Sequence, residues 1–254
     1  MTSIDLNADL GEGMGTDEDL LGIVSSASIA CGGHAGDAPT IRQILRICKA
    51  KGVRAGAHPG YADPKRFGRF RVVMPLDQLL GQIRSQLFLV RFIADEVGVP
   101  LSYVKLHGAL ANQTAEELAF AVGIFATIQA MDPRMAVLAL DNSQQVRAAK
   151  AVGMPLIREA YADRAYTADG LLLPRTQEGA VIKDAEAVIE RCLRLAKAGE
   201  IVAIDGTVLK SSARSICLHS DTPGAVDLAR DVRDALEGEG IAIAADVPEL
   251  ADAE

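Results

Sequence analysis

Seven short apolar runs divide the chain: Ile4 to Leu10, Ala27 to Cys31, Val53 to Ala57, Tyr103 to Leu106, Met135 to Leu140, Pro155 to Glu159 and Ser215 to Leu218. Between most of them lie stretches of helical period, at Thr40 to Lys51, Leu76 to Val97, Glu116 to Met131, Ser143 to Val152, Asp184 to Lys197 and Gly224 to Leu236. A strand followed by a helix carries the chain back to its starting end, so this alternation feeds a parallel sheet. At 254 residues, with no Pro/Ser/Gly-rich linker and no repeat, the chain reads as one α/β domain spanning 1–254. Its sheet is either closed into a (β/α) barrel or open and doubly wound. Pro75 before Leu76, and Thr114 with Glu117 three residues on, read as helix starts. Two stretches break the rhythm, "YADRAYTADGLLLPRTQEG" within 161–181 and "IVAIDGTVLK" within 200–214, and both read as insertions on the rim.

The histidines share one placement. All four close a strand-like run: "IACGGH" at His34, "VRAGAH" at His58, "YVKLH" at His107 and "SICLH" at His219. Parallel strands have their carboxyl ends on one face, where α/β folds bind ligands, so four runs aim imidazoles at a single mouth. Period-two geometry adds Asn7 with Asp9, and Lys105 with His107, on common sides of their strands, and Glu12 follows in "NADLGEG". Carboxylate, amine and imidazole together can move protons near neutral pH, hold a metal or stabilise an oxyanion. The glycines of "ACGGHAGD" are expected to let His34 and Asp37 come close to a substrate.

Charge and composition exclude several classes. A formal charge of −8 and a pI near 5.1 disfavour nucleic acid or an anionic membrane as partner. The acidic, alternating start "MTSIDLNADL" is unlike a signal peptide, and no run is long and apolar enough to span a bilayer, so a cytoplasmic location is expected. Cys31, Cys48, Cys192 and Cys217 form no C-x-x-C pair and read as buried thiols. The chain carries no G-x-x-x-x-G-K-[ST] loop, G-x-G-x-x-G turn, G-x-S-x-G elbow or H-E-x-x-H helix, which sets aside the common nucleotide-loop, dinucleotide, serine-hydrolase and zincin chemistries.

In order along the chain, "IDLNADLGEG", "IACGGHAGD", "GAHPGYADPKRFGR", "VKLHGAL", "REAYADRAYTADGLLLPR" and "ICLHSD" resemble the LamB/YcsF family, whose members serve as the A subunit of ATP-dependent 5-oxoprolinase. The sequence departs from the family pattern at Gly33, where an aromatic is usual, at Leu106, where proline is usual, and at Ala111-Asn112, where Tyr-Asn is usual. The resemblance implies a seven-stranded variant of the TIM barrel, similar to the glycoside hydrolase/deacetylase fold. It implies opening of the lactam of 5-oxo-L-proline to L-glutamate, with ATP used by a complex containing two further subunits, B and C. On that reading, partner subunits bind ATP and phosphorylate the lactam. Asp9 or a nearby histidine among His34 and His58 then acts as general base, and Lys105 and His107 meet the developing charge. Asn7, Glu12, Asp37, Arg69, Glu159, Arg164 and His219 are the substrate-binding candidates. Asp163 and Asp169 are expected to shape the inserted loop. A competing enzyme reading is a metal-dependent deacetylase or amidase with a divalent ion on Asp9, His34 and His58. A non-enzyme reading is a barrel that binds a small acid and regulates its partners.

Overall fold

The computed structural model describes residues 3–221 and 224–250; the remaining positions of the 1–254 span lie outside the described residues. Strand β1 (Ser3–Leu10) leads through the short helix α1 (Asp17–Leu20) to β2 (Ser26–Ala30), α2 (Ala38–Lys51) and β3 (Arg54–His58). The long helix α3 (Leu76–Val97) is followed by β4 (Leu101–Val104), a helix pair α4 (Gly108–Glu116) and α5 (Leu118–Met131), and β5 (Ala136–Leu140). Helix α6 (Gln144–Ala151) and β6 (Leu156–Tyr161) come next, then α7 (Ala185–Ala198) and the strands β7 (Glu200–Val202) and β8 (Val208–Lys210). The chain finishes with β9 (Ser215–Leu218), α8 (Ala225–Gly238) and β10 (Ala242–Ile243).

Seven strands close the barrel in the order β1-β2-β3-β4-β5-β6-β9, and β9 pairs in turn with β1, every pairing parallel. β10 adds a short parallel pairing outside β1. Closure removes the free edges that an open sheet would leave. Within β1 the even positions Ile4, Leu6, Ala8 and Leu10 belong to the buried apolar core, while the odd positions are polar: Asp5, Asn7 and Asp9. Alternation of this kind turns one face of the strand to the helices and the other to the barrel interior. Truncating Leu6, which has no exposed surface, to alanine would cost about 2–5 kcal/mol.

Local signals explain the helix limits. Asp37 caps α2 by accepting from Thr40 N at 2.8 Å, and Gly52 ends it in the left-handed region at φ 70°. Pro75 starts α3, and Gly98 (φ 72°) ends it in the same way as Gly52. Thr114 does not start a helix. It lies inside α4, where its Oγ1 donates to Leu110 O at 2.9 Å, and the break between α4 and α5 falls at Glu117, whose backbone is extended. Residues 200–210 form an antiparallel hairpin of β7 and β8, separate from the barrel sheet. The 161–181 stretch crosses the rim through isolated pairings of Arg164 with Val181 and of Tyr166 with Leu172.

Candidate active site

The carboxyl ends of β1, β2, β3, β4, β6 and β9 bring their polar side chains to one buried centre. Lys105, just past β4, is 2% exposed. Its Nζ lies 2.9 Å from Glu159 Oε1 on β6, donates to Asn7 Oδ1 at 3.2 Å, and lies 2.9 Å from Cys217 Sγ on β9. Asp9 Oδ1 lies 3.0 Å from the same ammonium but out of hydrogen-bond alignment. Asn7 Nδ2 donates to Glu159 Oε1 at 2.8 Å and to Ser215 Oγ at 2.9 Å, which fixes its amide orientation. The Tyr161 ring lies 5.0 Å from Nζ and adds a cation–π contact.

Three histidines form the other half. His58 donates Nδ1–H to Lys105 O at 2.9 Å, and His107 donates Nε2–H to Phe67 O at 2.9 Å; in both cases the carbonyl can only accept. His34 Nε2 lies 2.9 Å from Glu12 Oε1, and its ring stacks on His107 with centroids 3.5 Å apart. His58 Nε2 lies 3.5 Å from Asp9 Oδ2, which joins the two halves. His219 sits across the mouth, 2.7 Å from Asp163 Oδ1 and stacked on Tyr161.

Burial and neighbouring charge set the protonation states. Burial opposes charge on Lys105, yet Asp9, Cys217 and Glu159 raise its pKa well above the usual lysine range. Burial would raise Asp9, but His58 and Lys105 overcome it and hold the carboxylate well below its ordinary range. Burial raises Glu159, only partly offset by Lys105. Burial lowers His34 to about 4 and lowers His107, so both stay neutral near pH 7, whereas Asp9 outweighs burial at His58 and raises it.

Several sequence expectations change in this geometry. Asp37 is exposed and occupied as the α2 cap, away from the centre, because an aspartate three residues before a free helix N–H is used by the backbone. Arg164 is buried, donating to Ala180 O at 3.2 Å and Leu173 O at 2.5 Å, so it braces the inserted loop where substrate binding was expected. Arg69 is on the rim, paired with Asp221, which also meets Arg175 at 3.4 Å. Asp163 reaches His219 where only a loop-shaping role was expected. Of the expected metal set, His34 and His58 group with Glu12 and His107, while Asp9, 3.5 Å from His58 Nε2, groups with Cys217 and His219. Cys217 was read only as a buried thiol, although its spacing of two from His219 placed it on the same side of β9.

Beside Lys105 a narrow cavity is lined by Leu106, Ala111, Asn112, Leu138, Glu159 and Tyr161, with free volume of only ≈ 10 Å³, about that of one water. Two of the positions where the sequence departs from the family pattern, Leu106 and Ala111, therefore line the cavity beside Lys105. The third, Gly33, is explained by its neighbour: a Cβ there would stand 2.2 Å from Gln86 Oε1. Gln86 clamps Gly60, accepting from its N–H at 3.0 Å and donating to its carbonyl at 2.8 Å, and fills the space beside Gly33. A concavity of ≈ 590 Å³ along Glu186 to Glu200 is an open groove on the outside of the barrel with none of these groups in its wall.

The LamB/YcsF family profile matches residues 4–251. The chain belongs to the LamB/YcsF family. Among its LamB/YcsF relatives, the A subunit of 5-oxoprolinase from Streptomyces avermitilis is 44% identical over 247 residues, covering 95% of this chain and 99% of that protein. The corresponding A subunit from Nitrobacter hamburgensis is 42% identical over 248 residues, covering 95% and 97%. The crystal structure of the lactam utilization protein from Thermus thermophilus superposes with a TM-score of 0.89 at 34% identity, covering 96% of this chain and all of the other. No helix among the described residues of this LamB/YcsF chain is long and apolar enough to cross a membrane.

Proposed function

We propose that this chain is the barrel subunit of an ATP-dependent 5-oxoprolinase, acting in the cytoplasm with two further subunits, B and C, to open 5-oxo-L-proline to L-glutamate. The observation that carries the reading is the buried Lys105 ammonium held between Asp9, Glu159 and Asn7 at the mouth of a barrel whose relatives are named for that activity. A lactam carbonyl is a weak electrophile, and water attacks it only when the carbon is activated and the developing charge is met. Lys105, kept charged by the Asp9 and Glu159 carboxyl groups, supplies the fixed positive charge.

Asp9 is the base of the scheme. Its pKa is depressed, so it is ionised at all working pH values but is a weak base, which places the burden of activation on the substrate. Phosphorylation of the lactam oxygen by the partner subunits supplies that activation. Water then adds to the ring carbon, the ring C–N bond breaks as nitrogen takes a proton, and a second water hydrolyses the resulting acyl phosphate. His107 is unsuited to donating toward an oxyanion, because its N–H is committed to Phe67 O and its free nitrogen offers a lone pair. Leu106, Ala111 and Asn112 would border the bound ring beside Lys105.

ATP is assigned to the partners because the two mouth arginines, Arg69 and Arg175, already share Asp221, and no phosphate-cradling loop is present in the sequence. The test is glutamate release from 5-oxoproline and ATP by this chain alone and with both partner subunits, with ATP binding to the isolated chain followed by calorimetry. Turnover only in the complete mixture, with little ATP bound by the chain, is expected. Tight ATP binding to this barrel alone would move the phosphorylation step into it. ATP-dependent glutamate release by the partners without this chain would remove it from the reaction.

A further inference from the structure

The tautomers of His58 and His107 leave an unmet charge between them. Each gives its ring N–H to a backbone carbonyl, so His58 Nε2 and His107 Nδ1, which face each other at 3.0 Å, can be reconciled only by a shared proton or a bound cation between them. Glu12 Oε1, a third acceptor, lies 3.2 Å from His107 Nδ1 and 3.8 Å from His58 Nε2. All three side chains are buried, and such a group of electron-rich atoms is stable only around a positive charge.

We propose that Glu12 Oε1, His58 Nε2 and His107 Nδ1 form a site for one divalent transition-metal ion of the zinc type. Ligand atoms about 2.1 Å from an ion lie about 3.0 Å apart at right angles and about 3.4 Å apart in a tetrahedron. The three separations here, 3.0, 3.2 and 3.8 Å, bracket that range. The two imidazole planes are perpendicular and not stacked, so neither ring face blocks the other ring's nitrogen. Both rings also give their outer N–H to a carbonyl, the arrangement that fixes the tautomer of a ligating histidine.

His34 is outside the coordinating set. Its ring is parallel to His107 within 2°, so the two rings cannot both present in-plane lone pairs to one ion, and its Nε2–H instead steadies Glu12. The neighbouring group of Asp9, Cys217 and His219 has less need of a cation, because Lys105 already stands 3.0 Å from Asp9 and 2.9 Å from Cys217. Two imidazoles and one carboxylate leave coordination positions for water or a substrate oxygen, and an ion so held would act as a Lewis acid.

The test reads metal, not turnover, so it stands or falls separately from the 5-oxoprolinase reading. The full-length chain is stripped with EDTA, incubated with Zn²⁺, Co²⁺ or Mn²⁺, desalted and assayed for metal by mass spectrometry, with circular dichroism as the folding control. About one equivalent of Zn²⁺ or Co²⁺ per chain is expected, with Co²⁺ showing ligand-field bands but no thiolate charge-transfer band. Glu12→Gln and His107→Gln should each weaken binding at least tenfold, His34→Gln should weaken it about 10- to 100-fold without changing stoichiometry, and Cys217→Ser should leave stoichiometry unchanged. Folded wild-type chain retaining under about a tenth of an equivalent of each metal would overturn the proposal and leave a shared proton between the histidines. A thiolate band, or unchanged binding in folded Glu12→Gln/His107→Gln, would overturn it by moving the metal elsewhere. The wild-type stoichiometry and Co²⁺ spectrum decide the matter even if a variant does not fold.

Discussion

Lys105 Nζ and Glu159 Oε1 meet 2.9 Å apart inside the barrel, on side chains 2% and 1% exposed. An ion pair taken this far from water cannot lose one partner cheaply, since the other is left as an uncompensated buried charge. Lys105→Met should therefore lose turnover and also about 3–5 kcal/mol of stability in urea unfolding. Adding Glu159→Gln should return part of that stability and none of the turnover. Recovery of glutamate release in the double variant would show that the ammonium serves only to neutralise Glu159.

Asp9 offers a cleaner separation of chemistry from phosphoryl transfer. Asp9→Asn keeps the shape of the side chain but removes the carboxylate 3.0 Å from Lys105. In the complete complex, glutamate release should fall by at least about 100-fold, the scale of a lost general base, while ATP cleavage by the partners continues uncoupled. Parallel loss of both would mean that Asp9 governs assembly or the first step. Retention of both would remove it from the reaction.

At the amino end of the barrel, Asp5 accepts hydrogen bonds from Ser25 at 2.6 Å, Ser26 at 2.7 Å and Ser215 at 2.6 Å. Burial nevertheless outweighs these bonds and raises its pKa. The folded chain therefore holds the Asp5 proton to higher pH than the unfolded chain does. This contribution to stability is complete below the unfolded pKa and is lost as pH rises through the folded one. Asp5→Asn, which does not titrate, should gain on wild type between pH 4 and pH 7 in paired urea unfolding, whatever its offset from altered hydrogen bonding. A pH-independent difference between the two proteins would contradict the burial effect.

Gly33 and Gln86 should behave as one unit. Gly33→Phe alone drives a side chain into Gln86, 2.2 Å from the new Cβ, and should cost about 1–3 kcal/mol. Combined with Gln86→Ala, the aromatic has room, and the double variant should be more stable than the sum of the two single effects. Strict additivity in urea unfolding would show that the loop, and not Gln86, absorbs the aromatic.

The strand and helix periods determined an alternating βα chain with a parallel sheet and left its closure to the family resemblance, and the strand-end positions of His34, His58, His107 and His219 determined which end carries the polar cluster. Both signals are local: period two or 3.6 along the chain, and the shared polarity of parallel strands. Pairs two residues apart, Asn7 with Asp9 and Lys105 with His107, were legible for the same reason.

Tertiary structure alone decided which of these groups meet. The extended backbone at Glu117 separates α4 from α5, and Thr114 shows that a capping pattern can lie inside a helix, whereas the cap that occupies Asp37 is local, reaching only three residues along the chain. Arg164 is claimed by carbonyls of its own loop, while Glu12 is carried past β1 to His34. The tautomers that set His58 Nε2 against His107 Nδ1 follow from carbonyls of Lys105 and Phe67, 47 and 40 residues away in the chain. Sequence spacing fixes the side of a strand on which a residue projects. Barrel closure fixes the angstrom-scale distances at which charges and lone pairs act, because those distances arise between strands whose separation along the chain carries no geometric information.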